Sequence, residues 1–112
     1  MPSMNGKRWT VQDRFGNEIY LTHERWEHII APENHPEMTD YEEQLKDTIK
    51  SGQRTQDSLV PNKYYYRKAF DNLPDGNNYI VSVVIFKTDV DEEGNSTANN
   101  FIVTAYQNFI YR

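Results

Sequence analysis

The sequence predicts an α+β domain, with N-terminal helices followed by a four-stranded, or slightly larger, antiparallel sheet that the helices cover on one face. Two apolar faces at helical spacing lie in the first half, around Trp26, Ile29 and Ile30 and around Leu45 and Ile49. The second half holds the strongest strand signal in the chain, a nearly continuous apolar run over 79–86. The 112 residues suit a single domain, 1–112, with enough chain to bury a modest core without metal or disulfide support.

Ahead of the helices, "RWTVQDRFGNEIYLT" reads as two short strands over 9–12 and 18–21, joined by a Gly16-Asn17 turn. Thr22 is placed to cap the first helix, and Pro32 should end it by disfavouring helical geometry in the residue before it. Thr39 with Glu42 three residues on spells a capping box for a second helix over 40–51, and Gly52 falls where a left-handed C-cap would sit. Strands are then expected in "RTQDSLV", "KYYYRKAF", "NYIVSVVIFKT" and "NFIVTAYQNF". The apolar run of the third predicts a central strand covered on both faces, and residues 93–96 mark a hairpin loop between the last two.

Composition narrows the chemistry. The chain has no cysteine, which rules out thiol catalysis, disulfides and Cys-ligated zinc. No apolar run approaches the roughly 18–20 residues that cross a bilayer, and "MPSMNGKRWTVQD" lacks a signal-peptide core. A cytoplasmic protein with no membrane partner is the expectation. A net charge of −5 weighs against a general nucleic-acid binder. The charge is unevenly spread, however. "DVDEE" packs its acids at 89–93, while "LVPNKYYYRKAF" carries Lys63, Arg67 and Lys68 with no acid. Screening beyond about 8 Å at physiological salt lets such local fields decide binding.

Metal sites are not expected. His23 and His28 stand five residues apart, about 140° around a helix, so one ion cannot take both. "DVDEEGNSTANN" imitates the start of a calcium loop, but its twelfth position is Asn100 in place of the required Glu. No nucleophile elbow or phosphate-cradling Gly-rich loop is present. What remains is metal-free acid–base chemistry, for which histidine suits neutral pH. Strand alternation pairs Tyr65 with Arg67, and Thr104 with Tyr106, on shared faces. A sheet face presenting Arg67, Thr104 and Tyr106 toward histidines could hold a phosphodiester: arginine grips phosphate, hydroxyls donate to its oxygens, and imidazole moves protons. Tyr64, Tyr65 and Tyr66 are candidates for base stacking, although a tyrosine triplet is also ordinary strand composition.

The ordered set "LTHERWEHI", "HPEM", a helix with Ile49, "YYYRKAF", "YIVSVVIFK" and "FIVTAYQ", spanning about 21–107, resembles the phage-associated members of the barnase/EndoU/colicin/RelE-like nuclease superfamily. That resemblance implies a toxin-like, metal-independent endoribonuclease acting on RNA without a cofactor. It assigns proton transfer to His28 or His35, phosphate stabilisation to Arg67, and binding or orientation to Thr104 and Tyr106. The alternative expectation is a non-catalytic acidic module, a degenerate nuclease fold that binds a protein partner such as an inhibitor. The acidic balance and the "DVDEE" tip favour that alternative.

Overall fold

The computed structural model describes residues 6–111. Two strands open the fold, β1 (Lys7–Gln12) and β2 (Glu18–Thr22), followed by α1 (His23–Ile30), a 3-10 helix at Pro36–Met38 and α2 (Glu42–Ser51). Then come β3 (Gln53–Gln56), β4 (Lys63–Ala69), β5 (Tyr79–Ile85), β6 (Thr88–Val90), β7 (Ser96–Ala98) and β8 (Asn100–Asn108). The α+β class holds. The hairpin expected ahead of the helices forms and joins the main sheet, so the helices are not the N-terminal elements, and that sheet is mixed and not purely antiparallel, with six strands in the order β1-β2-β8-β5-β4-β3. The final strand inserts between the N-terminal hairpin and β5, running parallel to β2 and antiparallel to β5, while β1 and β2 are antiparallel.

Both helices pack on one face of this sheet. Trp26 and Ile29 of α1, Met38, and Leu45 and Ile49 of α2 join Ile19, Leu21, Tyr66, Ile80, Val84, Ile102 and Ala105 in one buried cluster. Alternation along the strands sends the intervening side chains to the opposite, helix-free face. Val81 and Val83 belong to that second face, lie outside the core cluster, and are still only 6 % and 8 % exposed. Their cross-strand neighbours Arg67, Tyr65, Tyr106 and Thr104 supply the cover that a helix layer would otherwise give.

Several local signals fold as expected. The Thr22 hydroxyl accepts from Arg25 N at 3.0 Å, and α1 stops at Ile30 as Ala31 turns extended before Pro32. The α2 signals act differently. Its N-cap is Tyr41 without a side-chain bond. Thr39 donates its hydroxyl to Pro36 O at 2.7 Å, while the Glu42 carboxylate is taken by Trp9 Nε1 at 2.8 Å and by the Arg8 guanidinium. Tertiary partners have outcompeted the local capping box. Gly52 ends α2 with φ −74° and ψ 168°, not left-handed. Its lack of a side chain serves close approach instead, since a Cβ there would stand 2.3 Å from Thr48 O and 2.7 Å from Arg67 O. The strand expected in "RTQDSLV" ends at Gln56, because the Asp57 carboxylate accepts from Leu59 N and Val60 N and turns the chain.

One turn occurs twice. In Asp13-Arg14-Phe15-Gly16-Asn17 and again in Asp91-Glu92-Glu93-Gly94-Asn95, the aspartate accepts from the backbone N–H groups two and four residues on, and the glycine takes φ near +85°. At 91–95 it closes the β6–β7 arm, whose residues are all exposed. The Asp91 carboxylate that imitated a calcium ligand is engaged by this turn, which holds it below the ordinary carboxylate range. At 13–17 the aspartate is buried and also accepts from Tyr66 Oη at 2.5 Å. Burial pushes the Asp13 carboxyl up, but bonds from Tyr66, Asn17 and Phe15 more than offset that and hold it below its usual value. Burial, and then the adjacent carboxylate, push the Tyr66 phenol well up.

Two stability predictions follow from these contacts. The lowered Asp13 value means its contribution is present above the unfolded pKa near 3.9 and is lost as pH falls through the folded value. The raised Tyr66 value means its contribution is present below about pH 10 and is lost as pH rises toward the folded value. Urea unfolding across pH should show both limbs, and Tyr66→Phe should remove the alkaline one and cost about 1.5–3 kcal/mol near neutrality. An unchanged pH profile in Tyr66→Phe would contradict the pairing. Gly52→Ala should cost roughly 1–3 kcal/mol by overpacking against backbone oxygens, and an unshifted urea midpoint would remove that contact as a constraint.

Candidate functional site

The helix-free face is ordered by the sheet register. Gln53 of β3, Arg67 of β4, Val81 of β5 and Tyr106 of β8 stand in one cross-strand row, with Thr55, Tyr65, Val83 and Thr104 in the next. Strand spacing of about 4.8 Å puts the Arg67 and Tyr106 backbones roughly 10 Å apart across Val81, within the combined reach of two long side chains.

At the β8 end of the row stands His35. Its backbone is pinned, with His35 N donating to Ile29 O at 2.8 Å and His35 O accepting from Met38 N at 3.0 Å. The side chain makes no capping bond. The ring instead lies 5.5 Å from the Tyr106 ring, and its Nδ1 is 3.5 Å from Glu37 Oε2. The His-Pro-Glu sequence thus turns Glu37 back onto the imidazole, where the carboxylate limits rotation of the ring. Gln107 Nε2 donates to Glu37 O at 3.2 Å and fastens this segment to β8.

Arg67 occupies the other end. β3 pairs with β4 only as far as Arg67, so the β4 edge at Lys68 and Ala69 has no strand beside it. A cavity of about 190 Å³ opens there, lined by Ser51, Gly52, Gln53, Arg67, Lys68, Ala69 and Tyr79. The Arg67 guanidinium lies 5.9 Å from the Tyr79 ring centre, and its buried Nε has no hydrogen-bond partner. A buried guanidinium N–H without a protein acceptor is costly and is offset when an oxyanion accepts from it. Lys68 points to the helix side, donating to Asp47 Oδ2 at 2.7 Å and Ser51 Oγ at 2.8 Å. Its ammonium holds the Asp47 carboxyl below the usual range.

Of the five residues singled out in the sequence, the register gathers Arg67, Thr104 and Tyr106 on one face, and His35 joins them through the Tyr106 ring. His28 is not drawn in. It is exposed, stands about 160° around α1 from buried Trp26, and its imidazole makes no hydrogen bond, ion pair or ring contact among the described residues. The tyrosine triplet divides. Tyr66 is buried against Asp13 and Tyr64 packs on Phe86 at 4.8 Å, both on the helix side. Tyr65 alone lies on the free face, where it donates to Asp57 Oδ1 at 2.8 Å. Two residues escaped the sequence reading, Tyr79 and Glu37. Period-two alternation with Val81 would have placed the first, and its position two residues after His35 pointed to the second.

Among the described residues, no three His, Asp or Glu side chains are grouped to hold a metal ion, and no helix is long and apolar enough to cross a membrane. Fold and site together define an α+β domain whose sheet carries helices on one side and an Arg/His/Tyr row on the other. No family model matches the sequence, and the comparisons with curated proteins and solved structures found no match.

Proposed function

We propose that the helix-free face binds single-stranded RNA and cleaves it as a metal-independent endoribonuclease, which would place the chain among the barnase/EndoU/colicin/RelE-like nucleases. The observation that carries this reading is the single row running from His35 through Tyr106 and Val81 to Arg67. It offers a proton-transfer group and a phosphate-binding group on opposite sides of one apolar floor. His35, steadied by Glu37, takes the proton from the ribose 2′-OH as that oxygen attacks phosphorus. The P–O5′ bond breaks, leaving a 2′,3′-cyclic phosphate and a 5′-oxygen that takes a proton from water. Arg67 donates to the non-bridging oxygens as charge builds on them. Tyr106 and Thr104 orient the sugar–phosphate, and no cofactor takes part.

A second reading rests on the β6–β7 arm, exposed along its whole length and bearing Asp89, Glu92 and Glu93 beside the engaged Asp91. In that reading the arm docks on a basic protein partner and the sheet face is inactive.

Labelled single-stranded RNA incubated with the protein and EDTA separates the two. The nuclease reading expects cleavage with cyclic phosphate ends, and an absence of both binding and cleavage leaves only the second. His35→Ala and Arg67→Ala should each lower the rate by about 10²-fold or more, the low end for a proton-transfer or charge-stabilising group. His28→Ala should cleave at the wild-type rate. A 10²-fold loss in His28→Ala, with His35→Ala unaffected, would move the chemistry off this row.

A further inference from the structure

A second cavity, of about 210 Å³, opens where β2 parts from β8. The two strands pair only at Ile19–Asn100 and Tyr20–Phe101 before the chain turns into α1. The lining residues are Tyr20, Thr22, Glu24, Arg25, Phe101 and Ile102. Tyr20 alternates with fully buried Ile19 and Leu21, and Phe101 precedes buried Ile102, so both rings sit on the helix-free face with Arg67 and Tyr106. The two rings are tilted by 44° at 6.2 Å, and the Lys7 ammonium stands 4.4 Å from the Tyr20 ring centre. Tyr20 Oη donates to Asn99 Oδ1 at 2.5 Å, which fixes that ring in place.

We propose that this cavity is a second subsite for the RNA of the preceding section, taking one unpaired nucleobase against Phe101 and Tyr20. The inference rests on the RNA reading and extends it. Size is the first argument, because the cavity is smaller than the roughly 300 Å³ lower bound of drug-sized sites and suits a single ring system. Charge is the second. Glu24 and Arg25 both line the cavity, so their charges offset and a neutral base meets no net charge there. The Lys7 ammonium adds positive charge beside the Tyr20 ring. Position is the third. Phe101 and Tyr106 are five residues apart on one strand, roughly 16 Å before the shortening by the bulge near Val103. At the ~3.4 Å rise of stacked bases that is at most about five nucleotides, so one short strand can reach both sites.

The test uses 2′-O-methyl RNA, which lacks the attacking hydroxyl, in a three-nucleotide and a ten-nucleotide form, read by fluorescence anisotropy. Phe101→Ala should weaken the longer oligonucleotide by roughly 5- to 100-fold, the range for losing one stacked base. It should leave the shorter one, held at Arg67, unchanged. Phe101→Leu keeps apolar bulk while removing the aromatic face and should show the same selective loss even if the alanine variant is unstable. Unchanged affinity for the longer oligonucleotide in Phe101→Leu overturns the subsite while leaving the RNA reading intact. Failure of the wild-type protein to bind either oligonucleotide overturns both.

Discussion

The register of β4, β5 and β8 is the constraint on which the rest depends. It aligns Tyr66, Ser82 and Ala105 as one fully buried row beneath the helices, and in doing so turns Arg67, Val81 and Tyr106 outward as the next row. A slip of one residue would exchange the faces, sending a guanidinium into the core and a tyrosine anchored on Asp13 into solvent. The Asp13–Tyr66 bond secures this arrangement from outside the three strands. It ties β4 to the β1–β2 turn across 53 residues of sequence, and a buried carboxylate accepting several hydrogen bonds is expensive to leave without them. Core and candidate site are therefore two sides of one pairing scheme.

The helix-free face accepts a different bargain from the core. Val81 and Val83 are nearly dry without any helix above them, because long polar neighbours lie alongside. Among those neighbours are a guanidinium whose buried Nε has no partner and a threonine hydroxyl, and the His35 imidazole stands beyond them against the Tyr106 ring. A buried N–H without an acceptor weakens the free protein, and such a group is favoured where a ligand oxygen completes it. The same side chains that shield the apolar floor are thus the ones a bound phosphate would engage.

Legibility in the sequence followed the range of the interaction. The Thr22 cap, the stop before Pro32 and the central strand over 79–85 depend on near neighbours and were readable. The α2 capping box does not form because Glu42 answers to Arg8 and Trp9, more than thirty residues away. The parallel β2–β8 pairing joins the two ends of the chain and leaves no local mark. The Asp-x-x-Gly-Asn turn was visible twice in the letters, yet its role needed the hydrogen bonds to Asp13 and Asp91. Strand alternation puts Thr104 and Tyr106 on one face of β8, the cross-strand register then adds Arg67, and helical spacing turns His28 away from the core. Nothing local could tell that His35, on a turn between helices, reaches the edge of β8 and meets Tyr106.

The most direct measurement is an NMR titration of the isotope-labelled protein with a short single-stranded RNA, following backbone amides. If the outward row is the binding surface, the largest shifts fall on Arg67, Val81 and Tyr106 and on His35 beside them, while Leu45 and Ile49 beneath the opposite face stay still. Shifts confined to the α2 side or to the β6–β7 arm, with the row unmoved, would contradict it.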